Sequence, residues 1–249
     1  MFKKVFHFIY VVYAFLMFFL LMFVVAFFVF LFVFFPEPKS GNYIYKTCYL
    51  WAGSWFFLIG LKHEIMYEKG CDVDGPVVLV ANHQSYMDIP MTVHSLKSAY
   101  RILGKSEMAK IPVFGFIYKK AVIMVDRSDR SKRGQSYLEL KASIHKGLSV
   151  LVYPEGTFNE TGQPLKHFYD GAFKLALNTQ TDIQPMLILD TLDRLHYESV
   201  FSLSPGKCRT VFLPKITVDG LEKKDHEKLK AIVFNTMETA IKRYANSKQ

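Results

Sequence analysis

From Val5 to Phe35 the chain carries no charged residue, and only afterwards do apolar and polar positions begin to alternate. A stretch of this kind has no polar face to offer water, so it is read as a segment that meets lipid. As one helix it would run about 46 Å at ~1.5 Å per residue, more than the ~30 Å hydrocarbon core of a bilayer requires. It must therefore tilt, kink or extend into the headgroup region. Turn chemistry in Pro36-Glu37-Pro38-Lys39-Ser40-Gly41-Asn42 ends it. A mixed segment from Tyr43 to Leu61 follows, rich in Trp51, Trp55, Tyr45, Tyr49, Phe56 and Phe57 but carrying Lys46. Trp and Tyr favour the membrane–water boundary, so this second segment reads as an interfacial or re-entrant helix.

From Lys62 onward the hydrophobic period switches repeatedly between two residues and three to four. The pattern predicts strands near 65–67, 77–81, 121–125, 149–153, 183–189 and 210–212, with a further short one near 215–218. It predicts helices near 89–96, 131–146, 171–178 and 225–245. In the last of these, Leu229, Ile232, Val233, Thr236, Met237, Ala240, Ile241 and Tyr244 fall on one face. Alternation of this kind argues for an α/β fold, a central mixed sheet flanked by helices and preceded by an N-terminal hydrophobic two-helix membrane motif. The expected division is a membrane-anchoring part, 1–61, and a catalytic part, 62–249. There is no internal repeat.

Length and charge agree with that division. A chain of 249 residues can bury one good-sized core and still carry an appendage. The net charge is +9, and all the basic residues except Lys3 and Lys4 lie beyond Pro36, mixed with acids. A positive surface is drawn to anionic lipid headgroups, each nearby Lys or Arg contributing on the order of 1 kcal/mol before screening. Nucleic acid is the other usual partner of a basic protein, but no nucleic-acid-binding motif occurs, and none is expected as a partner. A cleaved signal peptide is disfavoured, because the apolar run far exceeds the usual ~7–15 residues and no small-X-small site closes it. Cys48, Cys71 and Cys208 are unevenly spaced, with no C-X2-C pair and no surrounding histidines, so neither a structural disulfide nor a metal site is expected.

The densest chemistry lies at Val77-Val-Leu-Val-Ala-Asn82-His83-Gln84-Ser85-Tyr86-Met87-Asp88, a β-branched run that ends in a histidine with an aspartate five residues on. A carboxylate that fixes the tautomer of an imidazole, and steadies the imidazolium formed on protonation, makes it a useful general base. Five residues of regular helix would set the two side chains about 140° apart. His83 and Asp88 can meet only if the first ends the strand and the second enters the following helix. Such junctions, at the carboxyl ends of strands, are where α/β proteins tend to place ligands.

Asn82-His83-Gln84-Ser85-Tyr86-Met87-Asp88 resembles the first signature of the glycerolipid acyltransferase family. Gly115 to Arg127 looks like that family's second block, Tyr153-Pro154-Glu155-Gly156-Thr157 like its third, and the apolar Ile183 to Ile188 like its fourth. The resemblance implies transfer of an acyl group from a thioester, acyl-carrier protein or acyl-CoA, to the sn-2 hydroxyl of lysophosphatidic acid, giving phosphatidic acid. No cofactor is implied beyond that co-substrate. His83 would act as base and Asp88 as its orienting partner, and attack would be direct. Ser85 lies close enough in sequence to be considered as a nucleophile in the competing, covalent route.

Arg127 and Lys105 are the cations expected on the acceptor's phosphate, a guanidinium being able to grip phosphate through two parallel bonds. Glu155, Gly156 and Thr157 complete the expected substrate-binding set, the glycine letting the backbone approach a ligand and the carboxylate binding the acceptor's glycerol hydroxyl or positioning a basic residue. One departure stands out: the family's third block usually continues with Arg after Gly-Thr, and here Phe158 follows. Either Lys166, Arg127 and Lys105 suffice, or the acceptor is another lyso-lipid, such as a lyso-aminolipid. A membrane-anchored lipid-binding protein without catalysis is the reading from a different class. Met91, Ile102, Phe114, Phe116 and Ile123 are the residues considered for an acyl groove. Activated acyl donors are cytoplasmic, so the protein is expected at the cell (inner) membrane, its catalytic part returned to the cytoplasmic face by a hairpin or dipping arrangement of the first two segments.

Overall fold

The computed structural model describes residues 2–36, 39–71, 75–96, 100–111, 113–125 and 130–246. In chain order the elements are α1 (Phe2–Phe32), α2 (Lys39–Leu58), β1 (Leu61–Tyr67), β2 (Val78–Ala81), α3 (Asp88–Ser95), β3 (Tyr100–Lys105), α4 (Phe114–Ala121), β4 (Val122–Val125), α5 (Arg130–His145), β5 (Ser149–Val152), α6 (Gly171–Thr179), β6 (Ile183–Leu189), α7 (Thr191–Arg194), β7 (Gly206–Phe212) and α8 (His226–Asn246). The seven strands form one sheet in the order β1-β7-β6-β2-β5-β3-β4. Every pairing is parallel except that of β6 with β7, so the sheet is mixed.

Both faces of this sheet are covered, which is why its central strands read as unbroken apolar runs. Along β2 and β5, Val78, Val80, Val150 and Val152 pack with Phe173, Leu177, Val233 and Met237 of α6 and α8. The intervening Leu79, Ala81 and Leu151 pack on the opposite face with Met87, Met91, Trp55, Phe56 and Ile59. A buried bidentate pair fastens the antiparallel strands β6 and β7, Arg209 Nε donating to Asp190 Oδ2 at 2.7 Å and another guanidinium nitrogen to Oδ1 at 3.0 Å.

The first two helices form an antiparallel hairpin that is part of this second core. Val11 and Ala14 of α1 are buried in the same cluster as Leu79 and Met91. Tyr10 donates to the carbonyl of Ile59 at 2.8 Å, and Trp55 Nε1 to that of Ala14 at 2.9 Å. Farther along, Met22, Val25 and Val29 pack with Ile44, Trp51 and Ala52 of α2 and Ile117 of α4. At the other end, His7 Nε2 lies 2.7 Å from the carbonyl oxygen of Phe201, and Phe8 stacks on the Phe201 ring. Thus α1 lies against the rest of the protein along its length. Its other side, including Phe6, Ile9, Leu16, Phe19, Leu20, Phe23 and Phe27, is exposed. By length and composition it is the one helix among the described residues able to cross a membrane.

The predicted elements are present with three differences. The short strand expected at 215–218 is reduced to an isolated antiparallel bridge between Ile183 and Ile216. Three of the strands and α-helices were not foreseen, β3, α4 and the single turn α7. Residue 121, expected to open a strand, instead closes α4.

Candidate active site

The parallel strands run in one direction, so the segments leaving their carboxyl ends gather along one edge of the sheet. β2 pairs with β5 through Val80↔Val152, and β5 with β3 through Ile102↔Leu151. That brings together the loop after β2 with His83, the turn after β5 with Glu155, Gly156 and Thr157, and Lys105 at the end of β3. The edge at which these loops meet is the expected place for a ligand in an open α/β sheet.

His83 and Asp88 are in contact. Nδ1 of His83 lies 2.8 Å from Oδ2 of Asp88, the imidazole 16% exposed and the carboxylate wholly buried. Oδ2 also accepts the backbone N–H of Gln84 at 2.6 Å and of Ser85 at 2.8 Å, so three donors converge on one oxygen. Asp88 is the first residue of α3, and its side chain folds back over the loop it terminates. Oδ1 is buried and has no partner among the described residues. With Nδ1 committed to Asp88, Nε2 is the ring nitrogen left for a substrate proton.

The loop that carries His83 is tied down on every side. Asn82 exchanges two bonds with Ile188 of β6, Nδ2 to the carbonyl at 2.9 Å and Oδ1 from the N–H at 2.7 Å. The N–H of His83 donates to Glu155 Oε1 at 2.8 Å, and its carbonyl accepts from the N–H of Asn159, also at 2.8 Å. Ser85 donates its hydroxyl to the carbonyl of Leu195 at 2.5 Å and accepts the N–H of Met87 at 3.0 Å. Buried and engaged in this way, Ser85 is a structural hydroxyl, and the covalent route considered from sequence has no nucleophile here.

Glu155 is fully buried. Besides His83 it accepts the N–H of Lys166 through Oε2 at 2.8 Å, so both carboxylate oxygens bond backbone amides. The geometry is that of a group that positions His83 and the loop 157–170. Burial pushes its carboxyl up to about 7, against the lowering effect of the two amide bonds. Gly156 occupies the left-handed region at φ +77°, which lets the chain turn sharply beside His83. Thr157 is exposed, and its Oγ1 accepts Lys166 Nζ at 2.8 Å. Lys166 thereby places a cation next to the position where the resemblance expected an arginine. Arg127, the other expected cation, lies outside the described residues.

Aromatic rings surround the imidazole, and sequence reasoning missed most of them. Tyr153 stacks on its face at a centroid distance of 4.3 Å, and its hydroxyl meets Thr92 Oγ1 of α3 at 2.7 Å. Phe158 meets the imidazole edge-on at 4.5 Å and Tyr86 at 4.7 Å. The available signals were the places of Tyr86 and Tyr153 inside the two motifs and of Phe158 directly after Gly156-Thr157, none of which says that the rings meet at His83.

A largely apolar cavity of about 280 Å³ is lined by His83 and Phe158, by Lys105 and Ile102, and by Met22, Val25 and Trp51 of the helical hairpin. Of the five residues considered for an acyl groove, Ile102 and Phe114 line it. Met91 and Ile123 are ordinary core on opposite faces of the sheet, and Phe116 lies on the surface.

Known proteins resemble this chain over the stretch that carries these loops. A family model described as acyltransferase matches residues 62–189. A chloroplastic 1-acyl-sn-glycerol-3-phosphate acyltransferase, BAT2, of Brassica napus is 34% identical over 139 residues, 55% of this chain and 40% of that one. A 1-acyl-sn-glycerol-3-phosphate acyltransferase of Borreliella burgdorferi is 30% identical over 138 residues, 54% of each chain. The matched stretch thus spans roughly half or less of these relatives' own lengths. The crystal structure of the 1-acyl-sn-glycerophosphate acyltransferase PlsC from Thermotoga maritima has the same fold, with a TM-score of 0.81, 18% identity, and coverage of 97% of this chain and 98% of that one.

Proposed function

The chain belongs to the acyltransferase family, and from that premise we propose that it transfers an acyl group from acyl-carrier protein or acyl-CoA to the free hydroxyl of lysophosphatidic acid, giving phosphatidic acid. The observation that carries this reading is the buried Asp88 carboxylate 2.8 Å from Nδ1 of an imidazole that borders an apolar cavity. His83 Nε2 takes the proton of the acceptor hydroxyl as its oxygen bonds to the thioester carbonyl carbon. When the tetrahedral intermediate collapses, the carbon–sulfur bond breaks and the proton passes from His83 to the leaving thiolate. Asp88 stabilises the imidazolium between these steps and is not itself protonated. The acyl chain lies in the cavity, and the acceptor's phosphate is bound by Lys105, Lys166 and Arg127.

The hairpin supports a membrane setting without a free span. Since α1 packs against the protein from His7 to Val29, its exposed apolar side enters lipid while its other side stays on the domain. On this reading the cavity, which the hairpin helps to line, lies close to the bilayer surface, where both the lyso-lipid and the product reside. In a cell membrane the catalytic part faces the cytoplasm, the source of acyl thioesters.

One observation favours a second acceptor class. The ring of Phe158 occupies the flank of His83 where the family's arginine is expected, so a lyso-lipid with a less anionic headgroup, such as a lyso-aminolipid, is the alternative. Transfer of a labelled acyl group to a panel of lyso-lipids, for the wild type beside His83→Ala, tests both. Phosphatidic acid formed by the wild type and not by the variant is the expected result. Product from another acceptor alone would move the assignment to the second class, and no transfer to any acceptor would refute acyl transfer.

A further inference from the structure

Between α7 and β7 the chain makes a loop, residues 195–205, that buries its flanks and exposes its tip. Leu195 and Leu203 lie in the same cluster as Trp55 and Met91, whereas Val200 and Phe201 are 49% and 55% exposed. The base is closed by Ser204, which donates its N–H to the carbonyl of Arg194 at 2.8 Å and its hydroxyl to that of Asp193 at 3.1 Å. At the tip, Ser199 Oγ accepts the N–H of Phe201 at 3.2 Å, and the Ser202 hydroxyl donates to the carbonyl of Ser199 at 2.6 Å. A loop bonded in this way presents its two apolar side chains in a fixed position. A single exposed apolar residue is ordinary, but a pair that continues a larger apolar surface marks a contact.

That larger surface is on α1. The ring of Phe201 stacks on Phe8 at a centroid distance of 6.0 Å, 18° from parallel, and its carbonyl oxygen lies 2.7 Å from His7 Nε2. Phe8 belongs to a stripe: Val12, Leu16, Phe19, Phe23 and Phe27 follow it at steps of three or four residues, the period of one helix face, and all are exposed. Phe201 therefore extends, from a distant part of the chain, the side of α1 that the proposed function gives to lipid. Lys3 and Lys4, exposed one turn before His7, add cations at this end, where lipid phosphates would meet them. Glu198 marks the shoulder of the loop, its carboxylate 3.5 Å from His196 Nδ1 and exposed. Such a group stays among the headgroups, so only the tip beyond it can go deeper.

We propose that Val200 and Phe201 at the tip of this loop enter the bilayer beside the N-terminal part of α1, as a lipid contact outside the helical hairpin. The proposal rests on the reading of α1's exposed side as lipid-facing and adds a second, separate element to it. A helix lying in lipid by one face leaves the domain free to roll about the helix axis, and a second contact set off from that axis stops the roll. The loop also bears on the site, because the carbonyl of Leu195 at its base accepts the hydroxyl of Ser85, two residues beyond His83, at 2.5 Å. The depth of the tip and the height of His83 over the bilayer are thus set by one bonded piece of structure.

The test is photocrosslinking in the full-length protein held in nanodiscs of phosphatidylcholine and phosphatidylglycerol. The photoreactive side chain of p-benzoylphenylalanine, which keeps an aromatic ring, is placed at Phe201, at Phe19 on the α1 stripe, or at Leu138, an exposed apolar residue of α5 on the opposite side of the sheet. After irradiation the intact mass is expected to rise by one phospholipid for Phe201 and for Phe19, and not for Leu138. A lipid adduct at Phe19 without one at Phe201 overturns the proposal and leaves the reading of α1 standing. A chain-to-chain adduct at Phe201 in place of lipid overturns it too, because the tip is then covered by a second copy. An adduct at Leu138 equal to that at Phe201 does the same, since any exposed position would then give one. With no lipid adduct at Phe19 the exposed side of α1 does not face lipid, and the proposal falls with that reading.

Discussion

Replacing Asp88 by Asn separates the two things a carboxylate does for an imidazole. Oδ2 accepts three donors, two of them the backbone amides of Gln84 and Ser85, at 2.6 and 2.8 Å. Those two amides hold the substituted side chain with its carbonyl oxygen in the Oδ2 position, since the opposite rotamer would press an NH2 against two N–H groups. The oxygen then still accepts from His83 Nδ1, and the tautomer that leaves Nε2 available persists. What is lost is the negative charge facing the imidazolium. Two unit charges about 4 Å apart at an effective dielectric of ~20 interact by about 4 kcal/mol, so kcat is expected to fall by about a thousandfold, with a measurable remainder. The amide NH2 lands where Oδ1 is buried without a partner, which costs about 1–3 kcal/mol of stability. Single-turnover acyl transfer gives the first quantity and the shift in urea midpoint the second. Wild-type turnover in Asp88→Asn would refute the role given to the charge, and complete loss of activity in a folded protein would show that the imidazole had been turned over as well.

Three further expectations rest on other parts of the site. Glu155, with its carboxyl pushed up to about 7, keeps a proton in the folded state that the unfolded chain releases nearer the usual value. Its contribution to stability is therefore full below about pH 4.5 and lost as pH rises toward about 7, by about 3 kcal/mol. Glu155→Gln should flatten that slope in urea midpoints measured across the window, and an unchanged slope would assign it to other groups. Arg127→Ala should raise the KM for lysophosphatidic acid about tenfold or more while leaving the donor's KM in place, as expected for loss of a charge-assisted contact of about 1.5–3 kcal/mol; an unchanged acceptor KM would move phosphate binding to Lys105 and Lys166. Deleting residues 1–61 should yield an aggregating polypeptide rather than a soluble enzyme, because it strips the cover from Leu79, Met87, Met91 and Phe212; a monomeric, folded fragment by size-exclusion chromatography and circular dichroism would contradict this.

The expected His83–Asp88 contact could be read from spacing because one geometric condition decides it: five residues bring the pair together only across a strand-to-helix junction, and β2 and α3 provide one. The central strands were equally legible, since burial on both faces writes an uninterrupted apolar run such as Ile183 to Leu189. β3 was not, because Tyr100-Arg101-Ile102-Leu103-Gly104-Lys105 mixes charge and glycine into a short strand whose pairing with β4 and β5 is what makes it one. Likewise α4 is eight residues long, and packing against the hairpin, which no local period records, holds it in place. The work of Glu155 was illegible for a related reason. A carboxylate in Pro-Glu-Gly suggests a ligand contact, whereas its two backbone partners, His83 and Lys166, are 72 and 11 residues away.

The same distribution of contacts changes what the N-terminal helices are. A detachable anchor would share little with the catalytic part beyond a linker, yet Trp55, Phe56 and Ile59 are buried in one cluster with Leu79 and Met91. The sheet face beneath α3, on which Asp88 depends for its position, is thus completed by the helical hairpin. The cavity is divided in the same way: His83 and Phe158 border it on the side of the sheet edge, and Met22, Val25, Ile44 and Trp51 on the side of the hairpin. On the proposed function, a fatty-acyl chain held there extends from the aromatic surroundings of His83 to a wall made of α1 and α2. Binding energy from the tail can therefore be used to hold the thioester against His83, which is how remote contacts contribute to kcat as well as to KM. Substitutions at Met22 or Val25, far from the reacting atoms, should accordingly lower kcat for long acyl chains more than for short ones.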